Sequence, residues 1–69
     1  MNNIDVREYI KNNFKDDDIS DIEKSIFSSI ESKEEDILVG LGVLFELLWL
    51  NSDKDLRDNI LENIKKGLV

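Results

Sequence analysis

Hydrophobic residues recur at helical spacing in four segments of this chain, and polar residues separate the segments. In the first segment, at about residues 4–14, apolar side chains return every three or four positions. Similar stripes run through residues 20–32, 36–50 and 53–66. No segment alternates as a β-strand would, and no Pro interrupts the chain. The pattern predicts an all-α fold, a small single-domain four-helix bundle over residues 1–69.

Local signals predict where these helices begin and end. The tetrapeptides Ser20–Glu23 and Ser52–Asp55 are typical of capping boxes, so we expect a serine to begin the second and fourth helices. The acidic turn before the second helix also offers Asp18 as an alternative cap. Gly67 follows two lysines, which is typical of the residue just past a helix C-terminus.

The third helix is apolar on two sides, which predicts a central position in the bundle or in an interface. We expect one side to form the core, with four side chains near fully inaccessible: Leu41, Leu44, Phe45 and Leu48. The opposite side, together with the only Trp, is a candidate interaction surface: Val39, Val43, Leu47, Trp49 and Leu50. Three single-stripe helices around the third could cover both sides, which gives a monomer.

The two candidate features inside this helix are a lone charge and a pair of glycines. Glu46 is the one charged residue among residues 40–49. It is either a buried carboxylate with a raised pKa or, as we favour, a back-facing group that reaches water or pairs with a cation. Gly40 and Gly42 each cost about 1 kcal/mol relative to Ala in a helix interior. We expect a close approach of another helix backbone there, or an irregular first turn.

Composition excludes several chemistries. The chain has no Cys and no His, which removes disulfides, thiolate or imidazole metal sites, and Cys or His catalysis. We predict no catalytic residue, no cofactor and no metal site. A net charge of −7 argues against nucleic-acid and anionic-membrane partners. The first residues lack a basic segment followed by an apolar one, so we expect an intracellular protein.

Self-association is the remaining question about partners. The second apolar stripe would attract a second copy, whereas the net negative charge would repel it. The balance favours the monomer, and a weak homodimer or another protein partner is the alternative.

The segment from Gly40 to Trp49, G-L-G-V-L-F-E-L-L-W, resembles the signature of the small acid-soluble spore protein I family of endospore-forming bacteria. Glu34, Glu35 and Leu38 precede it as they do in that family, and the similarity extends without gaps across nearly the whole chain. Three positions depart from the family pattern. Val39 replaces a Pro, Leu50 replaces a polar residue, and Lys33 replaces a frequent Gly, so we expect the second helix to end without a left-handed residue.

The resemblance implies a minor, non-enzymatic protein made in the developing spore and held in the spore core. It does not imply DNA coating, because the Gly-Gly-Glu and paired-Arg segments of the α/β-type spore proteins have no counterpart here. The alternative function, from a different class, is an acidic helical adaptor or antitoxin-like regulatory module that binds a basic protein partner.

Overall fold

The computed structural model describes residues 5–69 as four α-helices, with no strand in that range. They are α1 (Val6–Phe14), α2 (Ile19–Ser32), α3 (Ile37–Leu50) and α4 (Lys54–Leu68). The all-α prediction is therefore confirmed. Ile4, where the sequence pattern begins the first helix, lies outside the described residues. No helix within residues 5–69 is long and apolar enough to cross a membrane.

Aspartates cap three of the helices, including the two for which a serine cap was predicted. The side chain of Asp5 accepts a hydrogen bond from the backbone N–H of Glu8 at the start of α1. Asp18 and Asp53 do the same three residues into α2 and α4. Each cap satisfies one of the backbone donors that a helix start leaves unpaired. The capping role predicted for Ser20 is wrong because α2 already begins at Ile19, and the alternative cap, Asp18, is confirmed. The capping role predicted for Ser52 is wrong because Asp53 is the N-cap of α4.

Two helix ends also differ from expectation. Lys33 takes a left-handed conformation after α2, with φ 60° and ψ 15°, so the expectation that α2 ends without a left-handed residue is wrong. This conformation crowds the Cβ of an ordinary L-residue, and Gly adopts it without that cost. Gly67 lies inside α4, which continues to Leu68, instead of just past its end.

Helix α3 packs closely against α1 and α2, whereas α4 makes no backbone approach of comparable extent to another described helix. Val43 is the only buried hydrophobic residue among residues 5–69, at 7% exposed. The predicted core is wrong: Leu41 and Leu44 are half-buried, and Phe45 and Leu48 are exposed. The reason is that only two helices close over α3, and they leave part of its apolar circumference uncovered.

Both glycines of α3 lie in regular helix and neither has a positive φ. A Cβ built on Gly40 would lie 3.7 Å from the Cδ1 of Ile10, which is ordinary side-chain contact. A Cβ on Gly42 would meet nothing within 4 Å. Neither expected cause of the glycines, a close helix backbone or an irregular first turn, is observed.

Candidate interaction surface

An open apolar groove runs between the C-terminal half of α3 and α4, with a volume of about 630 Å³. Helix α3 contributes three apolar side chains to it and α4 contributes two, and an oppositely charged pair completes the lining. We call it the α3–α4 groove. Its lining residues are Phe45, Trp49, Leu50, Leu61, Ile64, Arg7 and Glu46.

Trp49 joins the two walls of the groove. Its ring stacks on that of Phe45, with the centroids 6.0 Å apart and the planes 29° from parallel. The guanidinium of Arg57 lies 5.0 Å from the centroid of the Trp49 ring. The Arg57 Nε also donates a hydrogen bond of 3.0 Å to the Trp49 backbone oxygen. A cation over an indole face contributes roughly 0.5–1 kcal/mol at an exposed site, so one arginine of α4 holds both the ring and the backbone end of α3.

Hydrogen bonds from the connecting turn close the C-terminal end of α3. The backbone oxygen of Leu47 accepts from both the N–H and the side-chain amide of Asn51, at 3.1 and 2.8 Å. The Ser52 hydroxyl donates to the backbone oxygen of Leu48, and Ser52 is itself buried. These bonds satisfy carbonyl groups that the end of a helix leaves without partners. The two walls of the groove are therefore connected by an ordered turn.

Glu46 forms a two-point ion pair with Arg7 of α1. The Arg7 Nε lies 2.7 Å from one carboxylate oxygen, and a terminal guanidinium nitrogen lies 2.8 Å from the other. The hydrogen bond from Arg7, aided by its positive charge and opposed by partial desolvation, lowers the pKa of Glu46 below its ordinary value. The same hydrogen bond and the carboxylate charge raise the pKa of Arg7. The expectation that Glu46 pairs with a cation is confirmed, and its pKa moves in the direction opposite to that of a buried acid.

The five residues of the sequence-predicted interaction surface do not share one environment. Trp49 and Leu50 line the α3–α4 groove, and Leu50 is 72% exposed. Val39 and Val43 lie beside α1, where Val39 is 55% exposed and Val43 is buried. Leu47 is half-buried and faces the end of α1. Their role in an interface remains a prediction, and the structure divides them between two sides of α3.

The groove also contains residues that the sequence reading assigned elsewhere. Phe45 was expected in the core, and Leu61 and Ile64 were not among the residues of the predicted interaction surface. A usable signal was present, because Phe45 and Trp49 lie four positions apart and Leu61 and Ile64 lie three positions apart. Residues at these spacings share one face of a helix.

The comparisons with known proteins agree on one family. Residues 4–68 match the family model described as Small, acid-soluble spore protein I. A protein of that name from Halalkalibacterium halodurans is 38% identical over 66 residues, which cover 96% of this chain and 97% of the relative. Another from Bacillus cytotoxicus is 45% identical over 47 residues, covering 68% of this chain and 67% of the relative. One from Bacillus cereus is 43% identical over 47 residues, covering 68% of each.

No solved structure matches the chain. The family assignment therefore rests on sequence. The family model spans almost the entire chain, and the relative from Halalkalibacterium halodurans is covered almost completely. The resemblance first seen in the segment from Gly40 to Trp49 is thus confirmed over nearly the full length of the chain. The chain belongs to the small, acid-soluble spore protein I family.

Proposed function

We propose that this protein is a non-enzymatic component of the spore core, made in the forespore cytoplasm during sporulation. It acts through protein–protein contact or as an accumulated constituent of the spore. The observation that carries the proposal is the family match over residues 4–68, together with relatives that are named as acid-soluble spore proteins.

The charge composition supports solubility in dilute acid. At pH 7 the chain has sixteen acidic and nine basic side chains, and its isoelectric point is about 4.4. Below about pH 2 the carboxylates are protonated, while the lysines and arginines keep their charge. The protein then carries nine positive side chains, and a net charge far from zero keeps a chain in solution. Solubility should therefore be lowest near pH 4.4 and recover in stronger acid.

The titratable groups of the groove support a non-enzymatic role. An effective general base has a pKa near the working pH. Arg7 lowers the pKa of Glu46, which moves it away from neutral pH, and donates hydrogen bonds to both carboxylate oxygens. The rest of the groove wall is mainly apolar, which suits contact with another macromolecule better than proton transfer.

A time course through sporulation tests this proposal. Mother-cell and forespore fractions are separated, and dilute-acid extracts of broken, coat-stripped spores are examined by mass spectrometry for the intact 8.0 kDa chain. We expect the protein to appear in the forespore and to remain in the spore extract. Its presence in vegetative cells and absence from coat-stripped spores would contradict the proposal.

A second candidate function rests on the uneven distribution of charge. Residues 1–36 contain eleven acidic and five basic side chains, whereas residues 37–69 contain five acidic and four basic. An acidic adaptor or antitoxin-like module would use the first half to bind a basic protein. The same time course distinguishes the two, because an adaptor of this kind would be present during growth and would co-purify with its partner in a salt-sensitive complex.

A further inference from the structure

One copy of this chain leaves an unusually large surface in contact with water. Its accessible surface is 6053 Å². A compact monomer of its 8.0 kDa mass exposes about 4,450 Å² by the scaling that folded proteins follow, so the excess is about 1,600 Å². The radius of gyration agrees, since it is 13.6 Å and about 11 Å is usual for a chain of this length.

Four of the fifteen exposed large hydrophobic side chains among residues 5–69 line the α3–α4 groove and form one continuous patch there. Leu50 is 72% exposed, and Phe45, Leu61 and Ile64 are each 40–51% exposed. A standard stable interface covers about 800 Å² on each partner. The excess surface is therefore sufficient for one such interface per chain, and Arg57 of α4 binds the end of α3 beside the groove through its hydrogen bond to the Trp49 backbone oxygen.

The charge distribution indicates what covers this surface. The half of the chain that forms the groove is almost neutral, with five acidic and four basic side chains in residues 37–69. Most of the net negative charge lies in residues 1–36. A strongly basic partner would be attracted to the first half, whereas a second copy can meet the second half without placing one acidic half against the other.

We propose that the α3–α4 groove is the interface of a two-fold symmetric homodimer of this protein. In such a dimer the same patch of each chain contacts the other, which is the commonest symmetry of oligomers. The apolar edges of α3 and α4, with Trp49 and Leu50 at the centre, are then removed from water in both copies. This pairing covers the apolar side of α4, a helix that makes no backbone approach to another described helix comparable to those of α1 and α2 with α3.

Sedimentation equilibrium of the intact protein tests the dimer directly. We expect the mean mass to rise from 8.0 kDa to twice that value between about 1 μM and about 1 mM protein. The residual repulsion between two negatively charged chains should be screened by salt, so the dimer should strengthen at about 1 M salt. A protein that remains monomeric at about 1 mM in high salt would overturn the proposal.

Charge substitutions then locate the interface. Leu50→Glu changes a side chain that is 72% exposed, so the single chain should fold normally and the dimer dissociation constant should rise at least about tenfold. Leu61→Glu, on the opposite wall, should act in the same way. Ile19→Glu adds the same charge on α2, at a residue that is 85% exposed and outside the groove, and should dimerise normally. Far-UV circular dichroism verifies that each variant is folded.

The outcomes of this comparison are distinct. Loss of dimer in Leu50→Glu and Leu61→Glu but not in Ile19→Glu supports the groove as the interface. A dimer that survives both groove substitutions, or that Ile19→Glu weakens equally, would overturn the assignment. The result is independent of when the cell makes the protein, so the proposed spore function and the proposed dimer can fail separately.

Discussion

Val43 and Val39 provide a matched test of how α1 covers α3. Both are valines of the same helix, one turn apart, but Val43 is 7% exposed and Val39 is 55% exposed. Truncation to Ala removes the same atoms at each position and changes helix propensity by the same amount. The difference in stability between Val43→Ala and Val39→Ala therefore reports the difference in burial, together with any cavity that truncation leaves.

The expected difference follows from the exposed fractions. Two fully buried carbon groups contribute about 1.6 kcal/mol by transfer from water. Val43 retains almost all of this contribution and Val39 less than half, a difference of about 0.8 kcal/mol. The cavity left at Val43 adds to its cost. Because Ala is the better helix former by about 0.5 kcal/mol, Val39→Ala should be nearly neutral and Val43→Ala should destabilise by about 1–1.5 kcal/mol.

Urea denaturation followed by far-UV circular dichroism measures both variants. The protein is kept dilute and at one fixed concentration, because self-association would add to the apparent stability. For a slope near 1 kcal/mol per molar urea, the midpoint of Val43→Ala should fall by about 1 M and that of Val39→Ala should barely move. Equal shifts in the two variants, or a larger shift in Val39→Ala, would refute the packing of α1 described above.

Three further predictions follow from other parts of the chain. Lys33→Gly relieves a left-handed residue after α2 and should stabilise the protein by about 0.5–1 kcal/mol in urea denaturation, whereas Lys24→Gly inside the same helix should destabilise it by about 1 kcal/mol. Arg7 lowers the pKa of Glu46 from its ordinary value of about 4.5, so the ion pair contributes its full stability above that pH and loses it as the pH falls through the lowered pKa. The free energy of unfolding, measured from pH 6 to pH 2, should thus decline less steeply in Glu46→Gln than in the unaltered protein. An equally steep decline would show that the ion pair does not contribute to stability. At about 150 mM salt the protein should not retard duplex DNA in a mobility assay, and a salt-dependent shift at micromolar protein would contradict this.

The sequence predicted the helices well because their apolar spacing is regular and no Pro or alternating segment competes with it. Helices α2, α3 and α4 begin within one residue of the predicted positions 20, 36 and 53. The capping residue at each helix start was less predictable, because an Asp and a Ser that lie one or two positions apart can cap the same helix. Asp18 and Asp53 cap these two helices, and the hydroxyl of Ser52 donates a hydrogen bond to the backbone oxygen of Leu48 in α3.

Burial within α3 could not be predicted from its own sequence. A helix that is apolar around most of its circumference gives no indication of which side its neighbours will cover. Phe45 and Leu48 appeared as suitable for the core as Val43, but α1 and α2 left both of them exposed. The contact of Arg7 with Glu46 spans 39 positions, and no local pattern connects residues that far apart.

Cysteine labelling tests the central claim that one chain leaves the α3–α4 groove open and a second chain covers it. The protein has no natural Cys, so Leu50→Cys, Val43→Cys and Ile19→Cys each introduce a single thiol. In dilute protein, at about 1 μM, Leu50→Cys should react with a thiol reagent as fast as Ile19→Cys, and Val43→Cys should react slowly. Near about 1 mM, Leu50→Cys should become protected while Ile19→Cys remains reactive. Slow labelling of Leu50→Cys in dilute protein, or undiminished labelling in concentrated protein, would contradict the account.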